Sequence, residues 1–242
     1  MKAGAWLRGL GDVLFPPRCA HCRGLVEGSG YRHLCARCAR HLDFVRPPHC
    51  PTCGYPFFGA MEEGRTCPHC AALAPAFRTG CTAVILRGPA RSLLMEFKYH
   101  GGRHVLEDME EIFRRSAPVL AHVRGAVLVP VPLHSRKLRE RRYNQSALLA
   151  AALARAAGGS TRVAAVLRRT VDTPTQTAFD RPARAANLKN AFALRRRPGL
   201  NPALRYILVD DVFTTGSTLN GCARVLRRAG CLNLDVVTFG HG

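Results

Sequence analysis

Residues 206–220 read Tyr206-Ile207-Leu208-Val209-Asp210-Asp211-Val212-Phe213-Thr214-Thr215-Gly216-Ser217-Thr218-Leu219-Asn220, and they decide the fold of this chain. The apolar run Tyr206 to Val209 has the profile of a buried strand, and it stops at two carboxylates, Asp210 and Asp211. A hydroxyl- and glycine-rich loop follows, Thr214 to Thr218. Leu219, Cys222, Val225, Leu226 and Ala229 then recur at helical spacing. A strand, a loop and a helix start together make an anion site. The first-turn amides lack intrahelical partners, and the helix dipole favours negative charge there. Gly216 lets the backbone approach an anion closely. Thr214, Thr215, Ser217 and Thr218 supply hydroxyl donors, and the carboxylates suit sugar hydroxyls. The expected occupant is a ribose carrying a 5′-phosphate. An ordinary strand–turn–helix, with Asp and Thr serving only as caps, would not need this order. No Gly-Lys-Ser/Thr follows the glycine, which excludes a Walker loop.

At 242 residues the chain is long enough for one main domain and a smaller one. Its hydrophobic fraction of 47% fits a globular protein. No apolar run approaches the roughly 20 residues that span a bilayer. Met1 to Leu7 has no long apolar core and no small-residue cleavage site, so no export signal is predicted and a cytoplasmic location is expected. Leu7, Leu10, Leu14 and Phe15 fit a short docking helix ending at Pro16-Pro17.

The formal charge is +20, and its placement matters more than its size. Residues 136–205 hold 16 basic and 3 acidic side chains, a net of +13, whereas residues 1–80 hold 10 and 5. Such a segment attracts nucleic acid or a polyphosphate. Arg outnumbers Lys 32 to 4, as codon bias in a GC-rich genome would produce. That bias does not account for the shortage of acids.

Eight of the eleven cysteines form four Cys-x-x-Cys pairs: Cys19/Cys22, Cys35/Cys38, Cys50/Cys53 and Cys67/Cys70. A two-residue gap turns both thiolates of a knuckle toward one ion, and two knuckles complete a tetrahedral site. Cys50-Pro51-Thr52-Cys53-Gly54 and Cys67-Pro68-His69-Cys70 carry the Pro/Gly chemistry of tight knuckles. A disulfide framework would need an exported protein. Two structural zinc ions are therefore predicted, with sequential coupling the simplest grouping and nested or cross-braced arrangements left open. His21, His33, His49 and His69 are read as surface residues rather than ligands. With all four positions sulfur-filled, no site is open for water. In so small a segment the metal supplies much of the folding energy.

Residues 71–80 read as a linker. Strands are expected at Cys81 to Leu86, Ala126 to Pro132, 163–167, Tyr206 to Val209 and Leu234 to Phe239. Helices are expected at Pro89 to Tyr99, 104–116 and Asn144 to Ala157, and after the glycine loop. This alternation predicts a mostly parallel, covered sheet with ligands at the carboxyl ends of its strands.

The 206–220 stretch resembles the signature of type I phosphoribosyltransferases, which bind phosphoribosyl pyrophosphate. Two further stretches extend the likeness: Val129-Pro130-Val131-Pro132-Leu133-His134 with Arg136 to Arg142 and Tyr143-Asn144-Gln145-Ser146, and Thr173-Pro174-Thr175-Gln176-Thr177 with Arg181, Arg184, Asn187-Leu188 and Asn190-Ala191-Phe192. With the cysteine-rich N-terminus, they make the chain resemble the ComF family, linked to natural competence and uptake of transforming DNA. The likeness implies a type I phosphoribosyltransferase-like parallel sheet with helices on both faces over residues 76–242. Before it, residues 1–75 would hold the N-terminal helix and a double zinc ribbon.

The resemblance also implies roles. Asp210 and Asp211 would hold the ribose hydroxyls, and Thr214 to Thr218 the 5′-phosphate. Pro132, Leu133 and His134 would form the pyrophosphate loop, with Arg136, Lys137 and Arg139 reaching the diphosphate. Residues 168–192 would be a hood lined by Thr173, Thr175, Gln176 and Thr177. Lys98 and Tyr99 match the family too, although a helix-end lysine is also accounted for by the dipole. Magnesium is expected with the ligand.

Three functions compete. The first is transfer of ribose-5-phosphate from phosphoribosyl pyrophosphate to an amine or base, a reaction for which no nucleophile is evident in the sequence. The second is binding of single-stranded DNA by backbone electrostatics, since stacking aromatics are sparse at 7%. The third is an adaptor whose zinc module docks a helicase or channel protein. The intact Asp-Asp and Thr-Thr-Gly-Ser-Thr run argues against a decayed pocket.

Overall fold

The computed structural model describes residues 16–57, 67–99, 101–171, 191–196 and 199–242. The expected N-terminal docking helix lies outside them. So do Thr173, Thr175, Gln176 and Thr177 of the expected hood, with Arg181, Arg184, Asn187, Leu188 and Asn190.

In chain order the elements are α1 (Ala36–Ala39), β1 (Gly80–Ile85), α2 (Gly88–Tyr99), a 3₁₀ turn (Arg103–Val105), α3 (Leu106–Arg115), α4 (Ala117–Val123), β2 (Val127–Pro130), α5 (Ser135–Arg141), α6 (Gln145–Ala157), β3 (Arg162–Val163), β4 (Leu167–Arg169), β5 (Phe192–Leu194), β6 (Tyr206–Phe213), α7 (Ser217–Arg228) and β7 (Leu234–His241). Five strands form a parallel sheet in the order β1-β7-β6-β2-β3, and β4 and β5 pair as a separate antiparallel ribbon.

Three expectations are corrected. The strand expected at 163–167 is split between β3 in the main sheet and β4 in the ribbon. The strand expected to end at Val209 continues to Phe213, because β7 goes on pairing beside it, Asp210 opposite Thr238 and Phe213 opposite His241. Residues 71–80 are not a free linker. Phe77 is buried, and Asp235 accepts from Thr79 N–H at 3.1 Å and from the Arg78 guanidinium at 3.1 Å. Helices α1, α4 and α5 have no counterpart among the expected elements, and α4 adds to the core. It is a seven-residue piece with Pro at its first turn, split from α3 at Ser116.

Side chains alternate across the central strands, as the strand period requires. Leu128, Ile207, Val209, Val237 and Phe239 belong to one core with α2, α3, α4 and α6. Val127, Val129, Tyr206, Leu208 and Val236 belong to the other. There the cover is α7, Phe77, Leu167, Phe192 and the cysteines Cys50, Cys53, Cys67 and Cys70. The first cysteine group packs with the α2–α3 side, through Cys19, Leu34 and Cys38.

Local bonds dock the cysteine segments on the sheet. Val45 N–H donates to Ala83 O and Ile85 N–H to Asp43 O, each at 2.9 Å, so residues 43–45 extend the β1 edge. Thr82 Oγ1 donates to Cys53 O at 2.8 Å. A buried carboxylate adds to the packing of the first ribbon: Asp108 on α3 accepts from Arg32 N–H at 2.6 Å and His33 N–H at 2.9 Å. Replacing Asp108 by Ala leaves two N–H groups without their acceptor. The expected loss, read by denaturant unfolding, is about 2–4 kcal/mol, against less than about 1 kcal/mol for an exposed control such as Glu140→Ala.

Candidate functional site

The topology sets the position of the site. From β2 the chain crosses through α6, on one face, to β3 at one side. From β6 it crosses through α7, on the other face, to β7 at the other side. The two connections part between β2 and β6, and open parallel sheets receive ligands in the crevice at such a point. β2 ends at Pro130, opposite Val209, so Asp210 and Asp211 stand one and two residues beyond the end of their neighbour.

Asp210 Oδ1 accepts from Ser146 Oγ at 2.9 Å and from Asp211 N–H at 2.9 Å. Ser146 is held by Asn144, which caps α6 with its side-chain oxygen and donates through Nδ2 to Val131 O at 3.0 Å. Asn144 thus ties the loop after β2 to the carboxylate on β6. Asp211 Oδ2 lies 3.0 Å from Lys98 Nζ, both side chains being under one-fifth exposed. Lys98 comes from the last turn of α2, 113 residues away in sequence, so its pairing is invisible to spacing.

Burial first, and then the charge of Asp211, push the Asp210 carboxyl up to about 7 from an ordinary 3.8. The unfolded chain releases that proton near pH 4. Between about pH 4 and 7 the folded state therefore holds a proton that the unfolded state has lost. The associated stability is fully present below the lower value and is lost as pH rises through the upper one. Asp210→Asn, neutral throughout, should stabilise the fold by on the order of 2 kcal/mol near pH 8 and by little near pH 4. Thermal melts at the two pH values check this, and an equal shift at both would contradict it.

The loop and helix after β6 take the expected form. Gly216 is buried at φ +70°, a conformation open to glycine, and it forms the N-cap of α7 without a side-chain hydrogen bond. Thr215 Oγ1 and Ser217 Oγ lie 2.9 Å apart. Thr214 is exposed, and Thr215, Ser217 and Thr218 are half-buried. The close approach at Gly216 is to protein: a Cβ there would meet Phe213 Cζ at 2.7 Å and Leu73 Cδ2 at 2.9 Å.

The loop after β2 holds Pro132, buried, with Leu133 and His134 half-buried. His134 caps α5 by accepting from Arg136 N–H at 3.3 Å. Arg136, expected at the diphosphate, is exposed and bonds Glu140 at 3.1 Å, one turn along the same helix. Its neighbours do line a cavity. Lys98, Tyr99, Lys137, Arg141 and Arg142 border a space of about 550 Å³ between the end of α2 and α5. Arg141 lies over the Tyr99 ring at 5.4 Å, and Tyr99 is 61% exposed. Sequence reasoning gives Lys98 and Tyr99 little weight, and it assigns Ser146 no contact with the acid pair.

The cysteines form two clusters with sequential coupling: Cys19, Cys22, Cys35, Cys38 and Cys50, Cys53, Cys67, Cys70. Within each cluster all four sulfurs lie within 4.8 Å of one another. The Cys22–Cys35 separation is 3.7 Å and the Cys53–Cys67 separation 3.4 Å. A zinc–sulfur bond of about 2.3 Å puts tetrahedral sulfurs about 3.8 Å apart, so the donor sets fit zinc. Two four-cysteine zinc-binding sites are present, and none of the four nearby histidines joins them. No described helix is long and apolar enough to cross a membrane.

Comparison with known proteins finds the same cysteine module and relatives over most of the chain. A double zinc ribbon domain matches residues 10–71. Competence protein F of Haemophilus influenzae is 29% identical over 90% of this chain and 94% of its own length. The DNA utilization protein YhgH of Salmonella typhimurium is 30% identical over 91% and 95%. Competence protein ComFC of Bacillus subtilis is 26% identical over 81% and 79%. Among solved structures, a hypoxanthine phosphoribosyltransferase from Staphylococcus aureus matches at 15% identity and a TM-score of 0.35, covering 55% of this chain and 62% of that one.

Proposed function

The chain belongs to the ComF family of competence and DNA utilization proteins, and from that premise we propose that it binds phosphoribosyl pyrophosphate, or a related ribose-5-phosphate ligand, with magnesium in the crevice between β2 and β6. The observation that carries this reading is the Asp210–Asp211 pair. It projects past the end of β2, is anchored by Ser146 and Lys98, and is followed at once by the Gly216 loop and the start of α7.

In this reading Asp210 and Asp211 accept from the two ribose hydroxyls and fix the ring. The first-turn amides of α7 and the hydroxyls of Thr214 to Thr218 hold the 5′-phosphate. Pro132, Leu133 and His134 flank the diphosphate, and the basic cavity beside Lys98 draws it in. The carboxylate oxygens are the hard donors that magnesium takes. Held by Asp210 and Asp211 together with the diphosphate, the ion would supply positive charge to the leaving group. Displacement breaks the anomeric C–O bond and forms a bond to an amine or base acceptor. Positioning and charge stabilisation supply the rate. In this reading the protein serves natural competence from the cytoplasm.

Calorimetric titration with phosphoribosyl pyrophosphate and magnesium tests binding, and pyrophosphate release over candidate acceptors tests turnover. The reading predicts magnesium-dependent binding that Asp210→Asn and Asp211→Asn weaken. Absence of binding at millimolar ligand would overturn it.

A second reading, single-stranded DNA binding, draws on α5. That helix buries no side chain, carries Arg136, Lys137, Arg139 and Arg141, and borders the exposed Tyr99. Affinity should then fall steeply with salt, and Arg139→Ser with Arg141→Ser should flatten the slope. No binding at about 50 mM salt, where such contacts are strongest, would sink it.

A further inference from the structure

The two zinc-binding sites differ in what they touch. The first has Cys22 exposed, and its ribbon is held to α3 through Asp108. The second is wholly buried, in the core that includes Phe213 and α7. The candidate anion loop stands on this second site through three separate contacts. The Gly216 backbone lies against Leu73, whose N–H donates to Cys70 O at 2.9 Å. Asn220, buried in the first turn of α7, accepts through Oδ1 from Ala76 N–H at 2.7 Å and donates through Nδ2 to Ala74 O at 2.9 Å. The Phe213 ring stacks on His241 at 5.3 Å, and His241 meets His69 at 4.9 Å, inside the Cys67–Cys70 knuckle.

A clamp made of both ends of a buried amide fixes two segments relative to each other. The segment just past Cys70 is thereby locked to the turn whose amides face the proposed phosphate. We propose that Asn220 and Leu73 are positioning residues for the anion loop, and that metal binding at the second four-cysteine site and ligand binding at the loop strengthen each other. This rests on the phosphoribosyl reading of the loop. Coupling between two binding equilibria is reciprocal, so it can be read from either end.

The test uses the full-length, zinc-loaded chain with phosphoribosyl pyrophosphate and magnesium as the probe. Asn220→Ala should keep two zinc ions and its helical spectrum while binding the probe at least about tenfold more weakly, well below its melting temperature. In the unsubstituted chain saturating probe should slow chelator-driven zinc release from the second site severalfold. Cys22→Ser, which removes the first site's signal, identifies that phase. Asn220→Ala should abolish the slowing. Unchanged affinity in Asn220→Ala with two zinc ions bound, or release rates indifferent to the probe, would overturn the coupling. Should the unsubstituted chain bind no probe, the phosphoribosyl reading fails by itself. Hydrogen exchange at amides 214–219 then decides the positioning role: faster exchange in Asn220→Ala supports it, and unchanged exchange refutes it.

Discussion

Loss of the second zinc-binding site should unfold most of the molecule, whereas loss of the first should not. Cys50, Cys53, Cys67 and Cys70 are all buried, in the core that covers one face of the sheet together with α7. Structural zinc contributes roughly 10–16 kcal/mol to folding in small zinc peptides. A domain of this size has a net stability of about 5–15 kcal/mol. A Cys53→Ser chain therefore has no margin left, and its cooperative melt should disappear or fall by more than about 10 °C. Cys22 is exposed at the rim of the other cluster, so Cys22→Ser should leave the sheet folded with a melt lowered by only a few degrees. Thermal unfolding with zinc content measured on the same samples checks both. A Cys53→Ser chain that melts like the unsubstituted protein would show that the second site is peripheral.

The second large effect belongs to Asp211. Its carboxylate is paired with Lys98 at 3.0 Å, so it is oriented before any ligand arrives. Asp211→Asn removes a charged acceptor from a sugar hydroxyl and leaves the Lys98 ammonium without its partner. Hydrogen bonds to charged groups are worth about 1.5–3 kcal/mol each. Affinity for phosphoribosyl pyrophosphate should therefore fall about 100-fold. Stability should fall as well, by on the order of 1–3 kcal/mol, because both side chains are under one-fifth exposed and the Lys98 ammonium is left without its counter-charge. Lys98→Met should weaken binding about tenfold, and the double variant should be less than additive, since the two side chains act as one unit. Additive losses would place Lys98 outside the ligand site.

Much of this was legible in the sequence because the signals were local. The order of apolar run, carboxylate pair, glycine loop and helical stripe is written in the consecutive residues 206–229, and it survives folding with one adjustment, the extension of β6 beside β7. Cysteine spacing likewise carries the four knuckles, because each is a local turn, but it leaves their grouping open, and the fold selects the sequential one. What the sequence could not carry depends on contacts between distant segments. Nothing in the spacing of Cys50 to Cys70 says that this site lies under β6 rather than beside α3. Nothing local pairs Lys98 with Asp211, or turns Arg136 along its own helix to Glu140. Asn220 reads as an ordinary helix residue until its two bonds to residues 74 and 76 are seen. Residues 71–80 look like a linker by composition, yet Phe77 belongs to the core, with Leu73 and Ala76 packed against it.

The central claim is that the crevice between β2 and β6 holds a phosphoribosyl ligand. A crystal structure of the zinc-loaded chain with phosphoribosyl pyrophosphate and magnesium measures it most directly. The account predicts the ribose hydroxyls on Asp210 and Asp211 and the 5′-phosphate at the amides of residues 215–218, with the diphosphate toward His134 and Lys98. A ligand bound elsewhere, or a crevice left empty at millimolar concentration, would contradict it.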